Sequence, residues 1–148
     1  MRAARPDDCG AIAAVDVAAS PDPFGASHLA RYCSGNGAGT GALVACAAEE
    51  ADLRGFILYS TVLDEGSIDN IAVLPQYRRE GLGGRLLESA LRLMRELGAS
   101  RCVLDVRASN FAARALYARH GFVEDGLRRK YYRTAGGRED AVLMSRSL

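Results

Sequence analysis

No apolar run in this 148-residue chain approaches the ~18 residues that a membrane-crossing helix needs. The opening MRAARPDDCG also lacks the roughly 7–15-residue apolar stretch of a secretory signal. Cysteine is sparse and scattered: Cys9, Cys33, Cys46 and Cys102 lie 24, 13 and 56 positions apart. None forms a CxxC or another ligand pair, so no metal site is expected. Without an export signal these cysteines read as reduced thiols of a cytoplasmic protein, small side chains for the core. Net charge is nearly absent too, with 19 basic against 18 acidic residues. Such a surface exerts no bulk pull on phosphate backbones, so neither direct nucleic-acid binding nor a membrane partner is expected. Any phosphate affinity must come from a local site. There is no internal repeat, low-complexity tract or dividing linker, and residues 1–148 are expected to form one domain. A chain of that length buries roughly two thirds of its unfolded surface, enough for a true core.

Hydrophobic residues make up 49% of the chain and charged residues 25%, the balance of a globular protein. DDCGAIAAVDVAA, residues 7–19, reads as a helix stopped before Pro21, and PDP as a turn. A second helix is expected at 25–34. SGNGAGTG then carries glycine at alternate positions, but no Gly-Lys-Ser/Thr and no helix follow it. It therefore reads as a connection into the strand ALVACAA rather than as a phosphate loop. RGFILYSTV (54–62) is the next strand, LDEG turns it back, and SIDNIAVLP runs from 67 to Pro75. From Gly81 the period changes. Leu82, Leu86, Leu87, Ala90, Leu91, Met94 and Leu97 fall on one helical stripe, and Gly98 is placed for a left-handed cap. RCVLDVRA is a strand, and SNFAARALYARH a helix capped by Ser109 or Asn110 and closed by Gly121. FVEDGLRRKYYR, the turn TAGG and REDAVLMSRS form a closing antiparallel pair. The order is α-α-β-β-β-α-β-α-β-β, with a stub of strand at residues 1–5.

The stretch RREGLGG, Arg78 to Gly84, joins a strand to the long helix. A helix N-terminus presents unpaired amides and partial positive charge. Glycine at 81, 83 and 84 allows close approach to the backbone, and Arg78, Arg79 and Arg85 can add charge-assisted bonds. A dinucleotide fingerprint is excluded, because the third glycine position, 86, holds leucine. A diphosphate fits the turn; a tight strand-to-helix connection with solvated arginines is the alternative.

Arg78-x-x-Gly81-x-Gly83, after NIAV and before a long amphipathic helix, resembles the acetyl-CoA motif of the GNAT superfamily of N-acetyltransferases. The resemblance is close from Ser67 to Leu148 and extends to the N-terminal third only in the order of elements. Within the superfamily, LDVRASNFAARALYARHGF and RRKYYRTAGGREDA resemble the bacterial ribosomal-protein-alanine N-acetyltransferases. Those enzymes acetylate the N-terminal alanine of small-subunit ribosomal protein number eighteen. The resemblance implies an α/β (α+β) GNAT fold: a mixed central sheet flanked by helices, whose parallel strands 67–74 and 101–108 splay apart. It implies acetyl-CoA as co-substrate, with no metal. Pantetheine would pair with the backbone of Ile71, Ala72 and Val73 and bond to Asn110. The diphosphate would sit on Arg78, Arg79, Glu80, Gly81, Leu82, Gly83 and Gly84.

Acetyl transfer needs a neutral amine, a polarised thioester and a proton for the departing thiolate. An α-amino group has a pKa of ~7.7–8, so a weak base suffices, directly or through water. Strand alternation puts Asp105 on the face of Val103 and Arg107. The family carries glutamate there; the shorter aspartate favours a water relay, and an ion pair with Arg107 is the structural alternative. Asp69, on the other strand of the wedge, is the second carboxylate, as substrate ligand or base, where the family is apolar. Tyr117 lies two helical turns after Asn110, facing the same way, and can protonate the thiolate. His120 reads as a helix-end residue, and His28 belongs to no pattern. Tyr131 and Tyr132 are expected to point in opposite directions, one binding the first peptide groups of the substrate and the other in the core. Two other functions stay open at this point: acetylation of a small amine or a lysine, and a non-catalytic acetyl-CoA-binding role.

Overall fold

A computed structural model describes residues 1–20, 23–34, 39–47 and 52–148. The chain runs β1 (Arg2–Ala3), α1 (Cys9–Ala19), α2 (Ala26–Cys33), β2 (Thr40–Cys46), β3 (Leu53–Val62), β4 (Glu65–Val73), α3 (Leu82–Glu96), β5 (Arg101–Arg107), α4 (Phe111–Arg119), β6 (Val123–Thr134) and β7 (Gly137–Ser147). This is the expected order, with boundaries moved by one or two residues. The first two residues of PDP, and with them the expected turn, and most of the glycine-alternating stretch 35–41 lie outside the described residues.

Local sequence explains the helices. The apolar stripe of α3 is its buried face: Leu82, Leu86, Leu87, Ala90, Leu91 and Met94. Gly98 ends the helix with φ +99°. Leu97, grouped with that stripe by spacing, is instead exposed, because the helix stops at Glu96 and the cap turns the chain outward. Asn110 caps α4, its Oδ1 accepting from the Ala113 amide at 3.2 Å.

The described strands form one sheet in the order β1-β2-β3-β4-β5-β7-β6. Strand alternation sorts its two faces. Along β3, Ile57 and Tyr59 join the cluster built with α3 and α4, while Phe56 and Leu58 join the cluster built with α1 and α2. Because helices cover both faces, Ala42–Ala45 and Phe56–Leu58 are continuously buried.

β4 and β5 are parallel, and they pair only from Glu65↔Arg101 to Ile68↔Leu104. Beyond that point β4 stays with β3 as far as Val73, and β5 stays with β7 as far as Arg107. Each strand follows its own antiparallel neighbour, so the two part and open a wedge. A bulge in β4 falls at the fork. Leu58 pairs with Asn70 and Tyr59 with Ile68, leaving Asp69 as the extra residue.

The β6–β7 hairpin corrects one expectation. Tyr131 and Tyr132 do not diverge: their rings meet edge to face, with centroids 5.0 Å apart at 84°. The β6 register breaks between Arg128 and Tyr132, and Lys130 takes a left-handed φ of +53°, its amide donating to Asp140 Oδ1 at 2.9 Å. Regular alternation is lost there. Neither ring is core, since Tyr131 is exposed and Tyr132 half-buried.

Candidate active site

The turn after β4 is built on two left-handed residues, Arg79 (φ +67°) and Gly81 (φ +78°). The first helical bond of α3 runs from the Arg85 amide to the Gly81 carbonyl, at 3.1 Å. The amides of Leu82, Gly83 and Gly84 therefore have no acceptor among the described residues, and they point out of a helix N-terminus. Arg79, Glu80 and Arg85 are exposed around them. Arg78 has a different task. Its Nε donates to the Val73 carbonyl at 3.1 Å and its Nη2 to the Ala19 carbonyl at 3.2 Å, which ties the root of the turn to β4 and to the end of α1.

Gly83 and Gly84 also serve helix packing. A Cβ on Gly83 would stand 3.4 Å from Leu116, and one on Gly84 only 2.9 Å from His120 Nε2. The imidazole has little room to yield. Its Nδ1 lies 2.8 Å from Glu88 Oε1, and Arg146 Nη1 donates to the same oxygen at 2.9 Å and to the His120 carbonyl at 2.8 Å. Burial pushes the Glu88 carboxyl up, but the bonds from His120 and Arg146 outweigh it and hold it below the usual range. Gly84→Ala should therefore displace the first turn of α3. Overpacking of this kind costs about 1–3 kcal/mol, and at the turn it should weaken acetyl-CoA binding about tenfold. Adding His120→Ala should restore the affinity; calorimetry on the single and double variants checks both.

Within the wedge, Ile71, Ala72 and Val73 pair with Ile57, Phe56 and Gly55 of β3 on one side only, so their other backbone edge faces the gap. Asn110 stands at the top of α4, exposed. Tyr117, further down that helix, is 5% exposed and packs against Phe122 with ring centroids 5.7 Å apart. Burial raises its phenol well above the ordinary range, and the neighbouring Tyr132 and Cys102 add to the effect.

Asp105 is the first β5 residue past the fork. Its side chain is 36% exposed, and the nearest cation is Arg128 Nη1, at 4.0 Å. The ion pair with Arg107 does not form. Arg107 Nη1 reaches Glu139 Oε1 at 3.0 Å and the Arg133 carbonyl at 3.1 Å, because β7 lies alongside β5 and presents its carboxylate to the arginine. Arg107 also lies over the Tyr132 ring, with Cζ 4.6 Å from the centroid. Burial first, then the Asp105 carboxylate and Tyr131, push the Tyr132 phenol up to about 12.

Asp69 is held by one donor from α2 and one from its own strand. Tyr32 Oη donates to Oδ2 at 2.7 Å, and Ser67 Oγ donates to Oδ1 at 2.7 Å. Next to it, Asn70 Nδ2 donates to Asp16 Oδ1 at 3.3 Å. Asp16 is buried in α1 and also accepts from the Phe24 amide at 2.6 Å. Sequence reasoning missed Tyr32. It sits 37 positions from its acceptor, and no local spacing connects them.

Among the described residues no cluster of His, Cys, Asp or Glu is arranged to hold a metal, and no helix is long and apolar enough to cross a membrane. A cavity of about 440 Å³ between α3 and the β2–β3 end of the sheet is lined by Arg54, Leu82, Arg85 and Arg92 among others, and by no residue of β4, β5 or α4.

Residues 10–122 match the model of the Acetyltransferase (GNAT) family. The chain is 45% identical over 97 residues to the [ribosomal protein bS18]-alanine N-acetyltransferase of Escherichia coli strain K12, a segment spanning 66% of each chain. The crystal structure of the ribosomal-protein-S18-alanine N-acetyltransferase from Escherichia coli superposes with a TM-score of 0.88 at 34% identity, covering 98% of this chain and 90% of that one. Arabidopsis thaliana NAA60 in complex with acetyl-CoA superposes with a TM-score of 0.88 at 18% identity, over 99% and 97% of the two chains, a likeness of fold.

Proposed function

The chain belongs to the GNAT acetyltransferase family, and on that basis we propose that it acetylates a protein N-terminal α-amino group, that of the alanine opening ribosomal protein bS18. The observation that carries this is the conjunction at one wedge of free amides at the start of α3, an unpaired β4 edge, and Tyr132 with the buried Tyr117 and the Asp105 carboxylate as its neighbours. The substrate reading rests on the named relatives. A ribosomal protein as substrate puts the reaction in the cytoplasm. Residues 1–148 act as one catalytic domain, since α1 and α2 pack on the sheet that carries the wedge.

Acetyl-CoA, when bound, supplies the acetyl group as a thioester. The amides of Arg79 to Gly84 would take its diphosphate. The wedge-facing edge of Ile71, Ala72 and Val73, whose last carbonyl is already held by Arg78, with the Asn110 side-chain amide, would take the pantetheine. Arg78 contributes by fixing the turn. Asp105, solvated and one methylene short of the glutamate of the family, removes a proton from the substrate ammonium through water. Tyr117, kept protonated by burial, donates to the sulfur as it leaves. Tyr131 and Tyr132 stand together at the hairpin and bond the first peptide groups of the substrate.

A thiol-release assay separates the possible substrates. Peptides with the bS18 N-terminus should be acetylated at the α-amino group, and the same peptides blocked at that position should not. Preference for free lysine side chains or small amines would overturn the substrate reading, and acetyl-CoA binding with no transfer to any amine would overturn the enzymatic one.

A further inference from the structure

Two carboxylates, not one, stand at the mouth of the wedge. Asp69 and Asp105 are each the first residue beyond the last parallel pair, Ile68↔Leu104. They also share a face of the sheet. On β5, Cys102, Leu104 and Val106 enter the cluster built with α3 and α4, so Asp105 projects from the opposite face. Asp69 reaches Tyr32, which belongs to the α1–α2 cluster on that same opposite face.

The two are supported very differently. Asp105 is 36% exposed, with only Arg128 at 4.0 Å. Each oxygen of Asp69 accepts a hydrogen bond from a hydroxyl at 2.7 Å, from Tyr32 and from Ser67. Tyr32 is itself fixed: it is buried in the core and packs edge to face on Phe24, with centroids 6.1 Å apart. A carboxylate offers about four lone-pair sites, so two hydroxyl bonds lock its orientation and leave room for further donors. An α-ammonium carries three such donors, and its bonds to carboxylate are charge-assisted.

We infer that Tyr32 is a positioning residue: together with Ser67 it aims the Asp69 carboxylate at the incoming amino group, so that Asp69 binds the α-ammonium while Asp105 receives its proton. This rests on the N-terminal acetyltransferase reading and deepens it. The proton balance is simple. Two N–H protons leave the ammonium: one passes to Asp105 through water before the neutral amine attacks, the other is lost as the amide forms and balances the proton that Tyr117 gives the departing thiolate, and Asp69 takes neither and acts only as a ligand. The bulge gives the reason for the arrangement. The extra residue at the fork turns toward α2, where a donor from α2 together with one from β4 itself holds it.

Tyr32→Phe keeps the ring and removes the hydroxyl. It should raise KM for an alanine-initiated peptide, and the calorimetric Kd of that peptide, about five- to tenfold. The kcat should stay within a factor of about two and acetyl-CoA affinity should be unchanged, a split that a merely structural role does not produce. In a cycle with Asp69→Asn, the double variant should bind peptide no more weakly than Asp69→Asn alone. Ser67→Ala, a surface-side change to the same carboxylate, should repeat the KM effect, and it carries the test if Tyr32→Phe melts early. Unchanged peptide affinity in folded Tyr32→Phe and Ser67→Ala, or losses that simply add to those of Asp69→Asn, overturns the inference while the functional reading stands. A wild-type chain that binds acetyl-CoA but no N-terminal peptide overturns both.

Discussion

Replacing Tyr117 with phenylalanine should lower kcat about 100-fold, within the usual range for removal of a general acid. The ring is 5% exposed and packs on Phe122 at 5.7 Å, so phenylalanine keeps the contacts and the melting temperature should hardly move. Acetyl-CoA affinity should change little, because the turn at the start of α3 is untouched. Burial raises the phenol above its ordinary value, which keeps the proton on Tyr117 throughout the neutral range and makes it a donor rather than a base. The loss should therefore be flat in pH from about 6 to 9. Single-turnover thiol release from the loaded enzyme is the direct measurement. Turnover within a factor of about two of wild type would mean that the thiolate takes its proton from water.

Asp105→Asn should have the other large effect, a fall of roughly 100-fold in kcat/KM near neutrality. Here the loss should depend on pH. Above the substrate's own pKa of ~8 much of the amine is already neutral, so residual activity should climb toward wild type. Asp105→Glu should match or exceed wild type by shortening the water relay. Thermal stability should be unaffected, since Arg107 is committed to Glu139 at 3.0 Å and loses no partner. This separates Asp105 from its neighbour: Asp69→Asn should raise KM for the peptide and leave the pH profile in place. A normal profile for Asp105→Asn with a collapsed kcat for Asp69→Asn would assign the base to β4.

Much of this protein is determined by contiguous residues. The order of elements, the buried stripe of α3, the left-handed glycines at 81, 98 and 121 and the cap at Asn110 all follow from spacing and residue type within about one turn of helix or strand. The placement of Tyr117 seven positions after Asn110 is of the same kind. The parting of β4 from β5 was legible only through resemblance. Its cause, antiparallel neighbours that hold each strand apart beyond Ile68 and Leu104, is a property of the assembled sheet.

Tertiary structure decided which partner each polar side chain takes. Arg107 turned to Glu139 instead of Asp105, and Arg78 to the carbonyls of Val73 and Ala19. Gly84 makes room for His120 as well as exposing its amide. Tyr131 and Tyr132 came together because left-handed Lys130 interrupts the strand, and Asp69 met Tyr32 because one bulge residue faces α2. Periodicity tells which face a residue occupies only while the repeat is unbroken. At a bulge the period of two fails, and the choice among distant partners passes to the packing of α1 and α2 and to the register of β7.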